Sequence, residues 1–252
     1  MKAIILAAGY ATRLYPLTKN RPKALLPVGG RPLLDYTLKK ISACPEIDEI
    51  LLVSNARFYS QFVDLMAART MTIGPPLTVL NDGTFSNDDR LGANGDLRLA
   101  IRERNLADDL LVLPSDRIFE FPFSDLVAFF RSKNAMVNVC YDTGDPEVIR
   151  GRHGCALLNA EGRILEIHEK PEQPLSTVQS LALYAYPAAV LPLVNRYLDE
   201  GGNPDAPGYL AAWLCRRTAM YAYLLSSPCR DIGTVEAYRE ANAFYGKKKP
   251  RR

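Results

Sequence analysis

A chain of 252 residues with 48% hydrophobic and 23% charged side chains can bury a full core and suits one large domain or two small ones. No apolar run approaches the roughly 18 residues of a membrane span, and a net charge of +3 gives no footing for a nucleic-acid partner. Five cysteines without a CxxC pair point neither to a disulfide framework nor to a zinc site, so a reducing cytoplasm is the expected home.

In chain order, β and α signals alternate through the first half. Lys2 followed by Ala3 to Ala8 imitates a signal peptide, but the run is too short and Arg13 follows closely. Residues 2–7, 49–53, 78–80 and 110–113 are short apolar runs without strict alternation, the pattern of strands buried on both faces. Between them Leu34, Leu38 and Ile41, then Phe58, Phe62 and Leu65, recur at helical spacing, and 93–104 and 124–133 read as helices too. From residue 135 the pattern changes: 135–141, 154–158, 163–168 and 181–186 read as strands, with the hairpin turn "NAEG" at 159–162. Helices return at 190–199, 207–217 and 234–244, with a strand at 220–225. This order predicts an α/β fold with a doubly wound, mostly parallel mixed sheet flanked by helices, whose ligands bind at strand carboxyl ends. Residues 1–246 are expected to form one domain, and the "KKKPRR" run at 247–252 a disordered basic tail.

The stretch "AAGYATRLYPLTKNRPK", Ala7 to Lys23, leaves the first strand at such an end. Turn N–H groups there can face an anion, Arg13 and Lys23 add two cations, and Pro16, Pro22 and Pro27 stiffen the path. A nucleoside triphosphate suits that arrangement. Neither GxxxxGK[ST] nor GxGxxG is present, however, and a surface loop of solvated cations fits the local physics equally well.

Taken whole, "KAIILAAGYATRLYPLTKNRPKALLPVGGRPLLDYTL", Lys2 to Leu38, resembles the N-terminal signature of the sugar-1-phosphate nucleotidyltransferases, LAAGxGTRLxPLTxxxPKxLLPVxxxP. The resemblance runs to about residue 244. It implies that Leu6, Ala7, Ala8, Gly9 and Arg13 bind the triphosphate and that Lys23 binds and polarises its phosphates. Ala11 stands where the family commonly has a second glycine; a methyl is tolerated there if φ is negative. In "LLVLPSDRIFE", Ser115-Asp116 resembles the family's Gly-Asp pair, whose Asp holds Mg²⁺, and in "RDIGTVEAYREA" Asp231 is implied as the second metal ligand. A hard cation between one or two carboxylates and substrate phosphates is sound chemistry. The "EKP" triplet implies Lys170 for the sugar phosphate and Glu169 for sugar hydroxyls, while Gly154 lets substrate approach the backbone. For the nucleobase the resemblance suggests Asn81, Gly92 and Gly95, in a segment longer and more polar than in thymidylyl members. Asp88, Asp89 and Asp96 are read as capping and solvent residues, and His153 and His168 as structural.

The implied reaction joins a nucleoside triphosphate to a sugar 1-phosphate with Mg²⁺, releasing pyrophosphate, with Arg13, Lys23, Asp116, Lys170 and Asp231 as the catalytic set. Positioning and charge neutralisation carry such transfers, so no His or Cys nucleophile is needed. A cytidylyltransferase acting on phosphocholine and a non-catalytic nucleotide-sugar-binding paralogue are the alternatives. The partners expected are small molecules, without membrane or nucleic acid; a homo-oligomer is compatible with the sequence. One helix and the tail after Asp231 leave no hexapeptide-repeat domain expected.

Overall fold

A computed structural model describes residues 1–68 and 74–247. The first half is built of β1 (Lys2–Leu6), the two-residue strands β2 (Pro27–Val28) and β3 (Arg31–Pro32), α1 (Leu33–Ser42), β4 (Glu49–Ser54), α2 (Tyr59–Ala67), β5 (Leu77–Asn81), α3 (Ala93–Glu103), β6 (Leu110–Pro114), β7 (Arg117–Ile118) and α4 (Phe123–Lys133). The second half follows with β8 (Met136–Asp142), β9 (Gly154–Leu158), β10 (Ile164–His168), β11 (Val178–Tyr186), α5 (Leu191–Asp199), α6 (Pro207–Leu214), β12 (Met220–Leu225), β13 (Arg230–Asp231) and α7 (Val235–Lys247).

Among the described residues, nine strands form one mixed sheet in the order β10-β9-β11-β6-β1-β4-β5, with β8 beside β11 and β12 beyond it. The β6-β1-β4-β5 portion is parallel, and β11 joins it to an antiparallel section. The parallel strands are near-continuous apolar runs because helices cover both faces. Ile4 belongs to one core, packed with Leu97, Val194 and Leu210, and Ile5 to the other, with Leu34, Phe62 and Leu126. A third cluster joins Val28, Leu33, Ile118, Ile232 and Tyr245 and seats α7 against the start of the chain.

The "NAEG" turn forms as its residues predict: Gly162 has φ 76, and Asn159 Oδ1 accepts from the N–H groups of Glu161 and Arg163. One strand is longer than its apolar run. β11 begins at Val178 and continues through a bulge, where Ala182 takes φ 56 and the register with β8 shifts between Ser180 and Tyr184. Of the basic tail, 248–252 lies outside the described residues.

Candidate active site

The carboxyl ends of β1, β5 and β6 open into a cavity of about 440 Å³, and a second of about 510 Å³ lies beside it toward β9 and β11. Leu6, Ala7, Ala8, Gly9 and Lys23 line the first, Gly154, Glu169 and Lys170 the second, and Arg13 and Asp116 line both. The structure therefore brings the residues expected for the triphosphate and those expected for the sugar phosphate into adjoining chambers that meet at Asp116.

The loop after β1 is held from beneath: Ala7 N–H donates to Val53 O, and Asn55 Nδ2 donates to Ala8 O. A Cβ added at Gly9 would meet nothing within 4 Å, so that residue borders open space. Ala11 overturns the expectation of a negative φ, since its φ of 48° and ψ of 45° are left-handed. The chain must reverse from β1 into the short turn Thr12–Leu14, and Thr18 Oγ1 and Leu14 N–H both donate to Ala11 O. Leu14, 1% exposed, anchors the reversal. An alanine so placed carries a penalty of about 1–2 kcal/mol, against about 0.4–1 kcal/mol for the extra freedom of an unfolded glycine. Ala11→Gly is therefore expected to raise stability by about 0.5–1 kcal/mol, read from the denaturant midpoint. A drop in stability would contradict it.

Lys23 follows Pro22, whose extended backbone (φ −65°, ψ 146°) aims the lysine back across the cleft. Its Nζ donates to Asp116 Oδ2 at 2.9 Å. Burial pushes the Asp116 carboxyl up, but the charges of Lys23 and Arg117 outweigh it and hold it below the usual carboxylate range. Asp231 arrives from 115 residues downstream through a two-strand ribbon, in which β13 pairs antiparallel with β7 and Asp231 lies opposite Arg117. Ile232 N–H also donates to Asp116 O at 3.0 Å, tying the two segments together. Arg117 Nη2 donates to Asp231 Oδ2 at 2.9 Å, whereas Asp231 Oδ1 is buried with no hydrogen-bond partner among the described residues. An orphaned carboxylate oxygen beside a second aspartate offers hard donors of the kind Mg²⁺ takes, so the pair fits that ion. No group of three or more His, Cys, Asp or Glu able to hold a metal occurs among the described residues. Remaining ligands would have to come from phosphate and water.

In the second cavity Glu169 has a side chain only 12% exposed, and burial pushes its carboxyl up. It fits against Gly154 and Gly208; a Cβ at Gly154 would lie 3.4 Å from its Oε2, and one at Gly208 would run into the carboxylate. Lys170 turns into the cavity through a left-handed backbone, φ 48°. Such conformations in residues other than glycine cluster at ligand sites, and Ala11, Lys170 and Ala182 all border these cavities. His153, read from sequence as structural, lines the second cavity, where burial, and next the Arg117 charge, lower its pKa. His168 lies at neither cavity and pairs with Glu166 at 2.9 Å.

The segment expected to read the base is where sequence and structure diverge most. Asn81 lines neither cavity; its Oδ1 accepts from Gly83 N–H at 3.0 Å. Gly95 lines neither as well, while Gly92 lines the first cavity with φ 78° and lies hard against the backbone of Pro204 and Asp205. Beside it are two buried carboxyls, Asp82 and Asp96. Asp82 Oδ1 accepts from Thr84 N–H and Thr84 Oγ1, and Thr84 Oγ1 bonds the Tyr10 hydroxyl. Asp96 Oδ1 meets no protein donor among the described residues unless one carboxyl carries a proton, whereupon the two acids bond each other. Burial, reinforced by the Asp82 charge, pushes Asp96 up to about 8. Asp96 is no solvent residue, whereas Asp89 does cap, accepting from the N–H groups of Phe85 and Ser86. The sequence signal for Asp96 was an acid in the first turn of α3; its facing partner fourteen residues earlier was not visible.

The family model described as "Nucleotidyl transferase" matches residues 2–248. The chain is 30% identical over 245 residues to the "Bifunctional protein GlmU" of Methanocaldococcus jannaschii, covering 97% of this chain and 54% of that protein. It is 27% identical over 250 residues to a "UTP--glucose-1-phosphate uridylyltransferase" of Synechocystis, covering 96% and 62%. It thus spans little more than half the length of these curated relatives. Among solved structures, a "UTP-bound UGPase" from Acinetobacter baumannii superposes with a TM-score of 0.79 at 20% identity, covering 99% of this chain and 94% of that one, which bears on the fold alone. With its signature loop, its paired aspartates and a family match over nearly all its length, the chain belongs to the nucleotidyl transferase family.

Proposed function

We propose that the chain transfers a nucleotidyl group from a nucleoside triphosphate to a sugar 1-phosphate, giving an NDP-sugar and pyrophosphate. The observation that carries this reading is the meeting of two polar chambers at Asp116, one with the Gly9 loop and Lys23, the other with Glu169 and Lys170. An oxygen of the acceptor phosphate bonds to the α-phosphorus as the bond from that phosphorus to the pyrophosphate oxygen breaks. The attacking phosphate is already ionised near neutral pH, so no side chain needs to remove a proton. Arg13 and Lys23 bind and orient the triphosphate; Lys170 holds the acceptor phosphate, and Glu169 accepts hydrogen bonds from sugar hydroxyls. Asp116 and Asp231 would hold Mg²⁺, which when bound neutralises phosphate charge and aligns the two groups.

Incubation with Mg²⁺, each common nucleoside triphosphate and a panel of sugar 1-phosphates plus phosphocholine should release pyrophosphate with sugar phosphates. Release with phosphocholine alone would move the assignment to cytidylyl transfer, and silence across the panel would end the catalytic reading. Lys170→Ala should raise the KM for the sugar phosphate by roughly tenfold or more, the loss of a charged hydrogen bond, with a much smaller effect on the triphosphate. Equal effects on both substrates would remove Lys170 from the acceptor site.

A further inference from the structure

Arg117 is a buried cation at this site to which the mechanism above gives no role. It follows Asp116 directly, is 8% exposed, and lines both cavities. A guanidinium carries five N–H donors in a rigid fork. Among the described residues two of them find acceptors, Nη2 on Asp231 Oδ2 at 2.9 Å and Nη1 on Cys229 Sγ at 3.6 Å. Its charge acts on His153 and Glu169, which line the acceptor cavity, and on Asp116 at the junction. The side chains common to both chambers include Arg13, which is exposed, and Asp116, which is negative. Arg117 is thus a fixed, desolvated positive charge with spare donors at the point where the two chambers join. Such a fork matches a pair of phosphate oxygens, and it stays protonated throughout.

We propose that Arg117 is a further catalytic residue: its remaining N–H groups bind the diphosphate bridge that forms between the two cavities, while Nη2 keeps its hold on Asp231. This rests on the transferase reading of the site. The bridge arises as the acceptor oxygen–phosphorus bond forms and pyrophosphate leaves with the electron pair of the broken bond; Arg117 neither gains nor loses a proton. Its contact strengthens as the two phosphates come together, which is where a preorganised charge favours the transition state.

The discriminating measurement is product affinity without metal, by calorimetry in a chelator, for wild type, Arg117→Met, Asp231→Asn and the double variant. The probes are UDP-glucose, dTDP-glucose, ADP-glucose and GDP-mannose. Binding of none of them by the wild type in chelator would overturn this proposal, since Arg117 would then give the diphosphate no metal-free hold, while the transferase reading stands or falls on pyrophosphate release with Mg²⁺. Where the wild type binds, Arg117→Met should weaken the tightest probe roughly tenfold to a hundredfold, the loss of charged hydrogen bonds. The same factor should persist in the Asp231→Asn background, because the contact is with phosphate. If Arg117 serves only to hold Asp231, its replacement adds nothing in that background, and the proposal falls while the transferase reading stands. Should Arg117→Met fail to fold, Arg117→Lys keeps the charge and loses the fork. A loss of at least about threefold is then expected, and unchanged affinity would overturn the proposal.

Discussion

Asp116→Asn is expected to lower turnover at least about 10²-fold, the scale seen when one preorganised electrostatic stabiliser is lost. The side chain stands where the two cavities meet, beside the backbone that ties in the β13 segment. An amide keeps the shape and can still accept from Lys23 Nζ, so the variant tests charge rather than packing. The same change leaves the Lys23 ammonium, 11% exposed, facing a neutral partner. A stability loss of about 1–2 kcal/mol should accompany the kinetic defect, on the scale of a weakened hydrogen bond to a charged group. Pyrophosphate release at saturating substrates gives the first quantity and a denaturation midpoint the second. Turnover within threefold of wild type would remove Asp116 from the chemistry.

The second large effect belongs to Asp96 and appears as a dependence of stability on pH. Its folded pKa of about 8 lies far above that of an ordinary unfolded aspartate near 3.9. Between those values the folded chain holds a proton that the unfolded chain has released, so the free energy of unfolding falls as pH rises. The stabilising contribution is complete below about pH 4, declines through the interval and is gone above about pH 8. Asp116 works in the opposite sense, because its depressed pKa removes stability as pH falls into the acid range. The two are separated by comparing wild type with Asp96→Asn, in which the amide is uncharged at every pH and can donate to Asp82. From pH 5 to pH 8.5 the variant should gain on wild type by at least about 1.4 kcal/mol, the equivalent of one pK unit. Urea midpoints at constant ionic strength measure this, and parallel pH curves for the two proteins would refute the shared proton.

Much of the fold was legible because its strands are buried on both faces, and apolar runs such as "AIIL" and "LLVL" declare themselves without context. β11 was seen only in its apolar half, since Gln179 and Ser180 are buried polar residues before the Ala182 bulge. Arg13, Lys23 and Glu169, which line the cavities, were singled out in the sequence by the family resemblance. Asn81 was not a cavity residue, for a reason of local chemistry: an Asn two residues before a Gly turns back to bond that backbone N–H, and the next residue takes the cavity face.

Only the family resemblance singled out Asp116 and Asp231; by itself the sequence determined the strand and helix order and the cationic loop at the end of β1. These are local properties, set by apolar runs, turn residues and charge. Only the tertiary structure decided that Ala11 is left-handed, that Asp231 meets Arg117 across a ribbon closed by residues 114 apart, and that Asp82 and Asp96 face each other. Each of these depends on which distant segment supplies the neighbouring charge or backbone. Burial then magnifies the result, because a carboxyl withdrawn from water takes its charge state from whatever lies beside it.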